Sequence, residues 1–380
     1  MSDDFKNKLE AYNNGKLTKE EKIEFENELD KMEVYQSHLN NLMDEQGKAE
    51  ENENNNEKGK KQKQLVKRGK WRARLQNALT ALAIILIIMV VCISITVTYF
   101  TWGEPDRFKI YTDVIQAGVA TTKPNITIGS SGTNIGFLTM KYDAELRKWI
   151  GGEHETVGEL HSSFLFGPST EIPNDIHQQP YFIYPEQQHM YDSPDGFDQL
   201  EHLPEGTVAE LFVSLSDYYE TNEVLQKFVG KNMRPTWFAV DTGVNNEDEI
   251  GPIGFPYEGY HFKADYDISK KEGDSLLISE DTEQSRSTKM FDDGEKRNKE
   301  FFEALILMEE YYSIANTFLW ASSKEKLSEK INYIDENGTR IYGVVVTGPS
   351  KELLKLKEED WIGSSAISEK RLWNWDDIVN

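Results

Sequence analysis

Between Ala78 and Tyr99 the chain carries no charged residue, and the run ALTALAIILIIMVVCISITVTY is dominated by Leu, Ile and Val. As a helix, this stretch covers about 33 Å at 1.5 Å per residue, enough to cross a hydrocarbon core of about 30 Å. A helix is the form it must take there, because only then do its backbone groups satisfy one another without water. A buried helix of a soluble domain is rarely this long and this uniformly apolar. A cleaved signal peptide fits poorly, because the run starts far into the chain and lacks a small-x-small cleavage site before the next domain. The sequence predicts a single-pass anchor over residues 78–100.

Its flanks set the expected orientation. Lys58, Lys60, Lys61, Lys63, Lys67, Arg68, Lys70, Arg72 and Arg74 precede it with no acid among them, whereas Thr101, Trp102, Gly103 and Glu104 follow it. Lys and Arg collect on the cytoplasmic side, where they also meet anionic headgroups. Trp71, Arg72 and Arg74 suit one membrane interface, and Tyr99, Phe100 and Trp102 the other. The N-terminus is therefore expected in the cytoplasm and the C-terminal part outside the cell membrane.

Charge and cysteine content narrow the partners. The net charge of −24 is unevenly spread: residues 1–57 carry −9, the basic collar +9 and the outer part −24. So acidic a chain repels nucleic acid phosphate, which argues against direct DNA or RNA binding. An acidic head favours a basic protein partner through steering. The single cysteine, Cys92, lies inside the span, so the outer part relies on its own core and not on disulfides.

The head, from Asp3 to Glu45, reads as two helices. Asp3 and Asp4 suit a helix start, and Phe5, Leu9 and Tyr12 share a face before Asn13-Asn14-Gly15 breaks the pattern. Thr18 and Glu21 have the spacing of a capping box. Beyond them Phe25, Leu29, Met32, Leu39 and Met43 fall at helical spacing and form one apolar stripe. A module this small buries little apolar surface unaided, so the stripe serves as an internal hairpin core, as a docking face, or as both. The following GKAEENENNNEKGKK is polar and of low complexity, a disordered tether.

An acidic helical head, a tether and one span resemble the membrane-anchored anti-sigma factors that hold extracytoplasmic-function sigma factors inactive. Many of that class carry a zinc-binding His-x3-Cys-x2-Cys motif in the head. In ELDKMEVY the matching positions are Glu28, Met32 and Tyr35, which cannot reproduce a soft His/Cys site. The resemblance therefore implies a zinc-free head with no metal or other cofactor.

In the outer part, TVAELFVSL suits a strand with Val208, Leu211, Val213 and Leu215 buried, ETNEVLQKFVG a short helix ending at Gly230, and TWFAVDTG a second strand. An amphipathic helix is expected from about Asn298 to Trp320, and another through KEKLSEKINYIDENG. RIYGVVVTG follows as a strand buried on both faces. Lys271–Lys296 reads as a long polar loop, and Ala120–Met140 as short strands or turns. Two stretches, LPEGTVAELFVSLSDYYETNEVLQKFVGKNMRPTWFAVDTG (203–243) and YGVVVTGPSKELLKLKEEDWIGSSAI (342–367), resemble the sigma-factor-regulator family of Bacillus-type bacteria. The likeness covers the span and most of residues 200–367.

Catalytic motifs fail their own tests. HETVG at His154 has Gly158 where a zinc protease needs its second histidine, and His161 stands seven residues away. Ser323 and Lys326 satisfy Ser-x-x-Lys, but no Lys-Thr-Gly follows, and SDY at Ser216 lacks an asparagine. GSSGTNIG from Gly129 lacks the lysine of a phosphate loop, and NNEDE from Asn245 does not match a calcium loop. Trp361, Trp373 and Trp375 suit core packing better than a sugar platform.

The expected fold class is α+β. Its parts are a helical head (1–45), a polar tether with basic collar (46–77), a transmembrane helix (78–100), a membrane-proximal outer region (101–195) and a C-terminal α/β domain (196–380). The resemblance implies a non-enzymatic, membrane-bound anti-sigma factor that sequesters an extracytoplasmic-function sigma factor and releases it on envelope stress. Phe25, Leu29, Met32 and Leu39 would meet that factor, with Glu24, Glu28 and Glu33 on its basic surface. The lipid bilayer and a small membrane co-regulator complete the expected partners. On the residues alone, an envelope adaptor binding wall polymer or a membrane protein stays open, as does an extracytoplasmic enzyme.

Overall fold

The computed structural model describes residues 5, 8, 10–12, 14–49, 56–164, 168–171, 182–189, 195–243, 251–262, 265–272, 275–279, 293–319 and 323–376. The chain divides into two units, Met1–Leu86 and Ile87–Asn380. Asp3, Asp4, Leu9 and Asn13, the acidic stretch 245–249 and Trp320 lie outside the described residues.

In the first unit, Gly15 takes a φ of +65°, the left-handed conformation that glycine enters at least cost, and turns the chain after the helical residues 10–12. Thr18 and Glu21 then cap the next helix reciprocally. The Thr18 N–H donates to Glu21 Oε2 (2.9 Å) and the Glu21 N–H to Thr18 Oγ1 (3.4 Å). The helix they start, α1 (Lys19–Ala49), runs for 31 residues.

A second long helix, α2 (Asn56–Thr101), contains the apolar run. Within it, Leu65–Thr101 is long and apolar enough to cross a membrane. The helix begins well before the predicted span, so the basic collar is helical from Asn56. Lys, Arg, Gln and Leu are good helix formers, and no proline interrupts them. The hydroxyls in the apolar part bond back to the preceding turn: Ser94 to Val90 O (2.9 Å), Thr96 to Cys92 O and Thr98 to Ser94 O (both 2.8 Å). That pattern leaves no hydroxyl of these three without an acceptor in lipid.

In the second unit the end of α2 is tied down at once. The Arg107 guanidinium donates to the carbonyls of Tyr99 (3.1 Å) and Trp102 (3.4 Å), placing a cation where the helix dipole is negative. Arg107 also opens α3 (Arg107–Thr122), which Asp106 caps by accepting the Lys109 N–H (2.8 Å). Phe100 is buried and meets Tyr111 edge-on at 5.9 Å; Tyr111 lies 5.2 Å from Phe164 and 6.5 Å from Tyr311.

After α3 comes an antiparallel meander of β1 (Ile126–Gly136), β2 (Thr139–Ile150), β3 (Glu153–Phe164) and β4 (Pro168–Glu171). Most inward positions of β2 alternate with more exposed ones, as expected of a strand with one face on the core.

The C-terminal region is built on a five-stranded sheet of order β11-β5-β10-β6-β7. Its strands are β5 (Thr207–Glu220), β6 (Arg234–Val240), β7 (Gly254–Pro256), β10 (Arg340–Pro349) and β11 (Ile362–Leu372). The predicted β-α-β grouping is present, with α5 (Thr221–Phe228) between β5 and β6, after a short α4 (Gly196–Glu201). Yet β5 and β6 do not pair, because β10 lies between them, antiparallel to both. As its sequence predicts, β10 is buried along nearly its whole length.

Helices α6 (Gly294–Glu310), α7 (Tyr312–Ala315), α8 (Lys324–Asn337) and α9 (Ser350–Leu354) complete the region. The single helix predicted from Asn298 breaks at Tyr311, which leaves helical geometry where its ring packs on Tyr111. The predicted polar loop includes a strand pair. β8 (Asp265–Glu272) pairs with β9 (Ser275–Ser279), whose Leu-Leu-Ile core has strand character, while residues 280–292 lie outside the described residues. The membrane-proximal and C-terminal regions belong to one unit.

Candidate functional site

The stripe on α1 divides into two parts. Its first residue, Phe25, is only 2% exposed, held between Phe5 and Tyr12 with ring centroids 5.4 Å away in each case. The Tyr12 hydroxyl donates to Glu26 (2.9 Å), and that carboxylate raises the Tyr12 pKa above its ordinary value. Lys22 sits 5.7 Å above the Tyr12 ring and 3.9 Å from Glu26. The hydrogen bonds from Thr18 hold the Glu21 carboxyl below its usual range. These contacts make a small closed corner at the start of the helix.

Past Leu29, which is half-buried, that cover ends. Met32 is 46% exposed, Leu39 half-buried and Met43 exposed. Tyr35 (66% exposed) and Leu42, which the simplest stripe leaves out, widen the apolar surface along one flank. At about 100° per residue, Glu24 and Glu28 fall on that flank and Glu33 on the other. All three carboxylates are exposed. An apolar strip bordered by acids suits a partner helix or groove with apolar centre and basic rim. Glu28, Met32 and Tyr35, which occupy the zinc-ligand register, lie on this same exposed flank.

Phe25 therefore belongs to the hairpin's own packing, whereas Met32, Glu24, Glu28 and Glu33 line open surface and Leu29 and Leu39 are half-buried on the same stripe. Burial could not be assigned from the stripe alone, because every member has the same periodicity. The signal that separates them is the preceding segment: Phe5 and Tyr12 pack on Phe25.

Of the residues expected at the membrane interfaces, Trp71, Arg72, Arg74 and Tyr99 lie on α2 and Trp102 follows its last residue. Trp71, Arg72 and Arg74 are exposed in the first unit, and Tyr99 and Trp102 are exposed in the second. The Arg107 guanidinium lies 4.6 Å over the Tyr99 ring. Chemistry-like motifs resolve into structural roles. His154 lies on strand β3, not a helix, against Trp149 with ring centroids 3.7 Å away. Ser323 caps α8 by accepting the Lys326 N–H (3.3 Å). Trp361 is buried against Phe228 and donates to Glu359 (2.8 Å); Trp375 is buried and donates to Asn232 (2.9 Å); Trp373 is exposed.

Comparison with known proteins places these parts in context. Residues 63–155 match the family described as "Sigma factor regulator N-terminal", and residues 200–369 match "Sigma factor regulator C-terminal". The first match takes in part of the collar, the apolar helix, α3, β1 and β2; the second takes in the five-stranded sheet and its helices. "Probable anti-sigma-M factor YhdL" of Bacillus subtilis (strain 168) is 26% identical over 392 residues, covering 99% of this chain and 100% of that protein. No solved structure matches the chain.

Proposed function

The chain belongs to the sigma factor regulator family of anti-sigma factors, and on that premise we propose that its head sequesters an extracytoplasmic-function sigma factor at the membrane. The observation that carries this reading is the uncovered strip of α1 running from Met32 through Leu39 between exposed carboxylates. Both family matches begin after the head, so the assignment of the partner-binding surface rests on the head's own residues.

Inhibition in this scheme needs no catalysis. Leu29, Met32 and Leu39 bury apolar surface against the sigma factor, and Glu24, Glu28 and Glu33 meet basic groups that otherwise face polymerase or DNA. The two sets of contacts are mutually exclusive, so holding the factor is sufficient. The basic collar orients the head to the cytoplasm and residues 101–380 to the outside, where envelope stress or a small membrane co-regulator acts to release the factor.

The relative's name refers to sigma-M, which makes the corresponding factor of the parent cell the first partner to test. The full chain, solubilised or in nanodiscs, is mixed with that sigma factor and core polymerase. Coelution of sigma with the chain, free of core, supports sequestration. A sigma factor that ignores the folded chain and partitions wholly to core overturns it.

A further inference from the structure

The hairpin joining β1 to β2 ends in Phe137 and Leu138, the two residues between the paired Gly136 and Thr139. Phe137 is 51% exposed and Leu138 37%. Turns of this length usually place Gly, Asn or Asp where the backbone enters the left-handed region. Here Leu138 holds a φ of +53°, so a bulky apolar side chain occupies a position ill suited to it. The two side chains remain largely outside the core, so internal packing does not account for an apolar tip.

The location of the tip indicates what meets it. One end of β2 is fixed in the five-stranded sheet, where the N–H of Gly151 donates to Thr347 Oγ1 (2.7 Å). Near the other end, Met140 pairs with Phe164, whose ring lies against Tyr111, which in turn lies against Phe100 beside the end of α2. The tip projects beyond Met140, at the end of the meander that reaches the buried Phe100 through Phe164 and Tyr111.

A second observation agrees. Cys92 and Ile93 are half-buried, and Thr96 and Phe100 are buried, all on one side of the last turns of α2. Protein, not lipid, therefore lies along that flank, beside residues whose composition assigns them to the membrane.

We propose that Phe137 and Leu138 form a second membrane contact, with the hairpin tip inserted in the interfacial layer of the bilayer beside the end of the span. The occupant is lipid, because the tip is small and apolar and ends the part of the meander that packs, through Phe164 and Tyr111, on the end of the span, and exposed Lys141 at its base suits headgroup phosphates. Contact at two points, the span and the tip, sets the tilt of the membrane-proximal region to the bilayer plane.

The test uses the full chain carrying Cys92→Ala, with one spin-labelled cysteine at Phe137→Cys, Thr133→Cys or Trp102→Cys. Each is placed in vesicles of phosphatidylglycerol and phosphatidylethanolamine. Collision with oxygen exceeding that with a water-soluble nickel chelate is expected at 137 and 102, and the reverse at 133. An aqueous profile at 137 beside an interfacial one at 102 overturns the proposal. Shielding of 137 from both probes also overturns it, because protein then covers the tip. Amide exchange across residues 134–141 of the unlabelled chain gives an independent reading. It is expected to be slower than in a Phe137→Ser, Leu138→Ser variant in the same vesicles, and equal rates would overturn the proposal.

Discussion

Lys148 on β2 and Glu210 on β5 form an ion pair 2.5 Å apart with both side chains almost wholly buried, joining the meander to the sheet. The pair is not left alone with its charges. Asn125 Nδ2 donates to Glu210 Oε1 (2.6 Å), and Lys148 Nζ donates to Ser368 Oγ (3.2 Å). A buried pair gains little over an apolar one of the same shape, but removing one partner strands the other.

Lys148→Met is therefore expected to cost about 3–5 kcal/mol by leaving a buried carboxylate without its cation. The same cost should lower the melting temperature of the second unit by roughly 10 °C. The double variant Lys148→Met, Glu210→Leu should lose less than the sum of the single changes. Thermal unfolding of the detergent-solubilised chain, followed by circular dichroism, reads all three.

A close approach on α3 gives a second prediction. A Cβ added to Gly118 would lie 2.4 Å from the Phe318 ring. Gly118→Ala must displace that aromatic ring or the helix, so overpacking should destabilise the unit by about 1–3 kcal/mol. Denaturant unfolding measures the loss, and Phe318→Leu should relieve part of it.

Acid exposes a different group. Glu359 accepts hydrogen bonds from Lys231 and Trp361, and the Lys231 ammonium above all holds its carboxyl below the usual range. A carboxylate with a depressed folded pKa stabilises fully above its unfolded value, near 4.5, and loses that contribution as pH falls through the folded value. Wild type should exceed Glu359→Gln in stability at neutral pH, and the difference should shrink steadily below pH 4.5. Melting curves of the two proteins across that window give the comparison.

In the head, two substitutions on one stripe should behave oppositely. Phe25→Ala removes the ring on which Phe5 and Tyr12 pack, so it should loosen the hairpin, read as lost ring-current shifts in the aromatic NMR spectrum. Met32→Asp lies past that contact and should leave the spectrum of the corner unchanged.

These contrasts also mark what the residues disclosed in advance. The strand at Thr207, the helix closed before Gly230, the strand at Arg234 and the central strand at Arg340 were legible because each follows a local period. The insertion of β10 between β5 and β6 was not, because it joins residues about a hundred positions apart, and no local pattern encodes such a pairing. The break at Tyr311, where the ring meets Tyr111 about two hundred positions earlier, escaped for the same reason. On α1 the stripe was legible, but the burial of Phe25 depends on Phe5 and Tyr12 packing on it from the preceding segment. The exposed Phe137–Leu138 tip runs against turn preference, so sequence rules passed over it.

The central claim is that the open strip of α1 holds a sigma factor, and affinity tests it most directly. Labelled sigma factor is titrated with the full chain in nanodiscs, as wild type and as Met32→Asp, Leu39→Asp. Burying two carboxylates in an apolar contact should weaken binding by at least about tenfold, or 1.4 kcal/mol. Unchanged affinity, with the Phe25 corner still packed, would contradict the account and move the sigma-binding surface elsewhere.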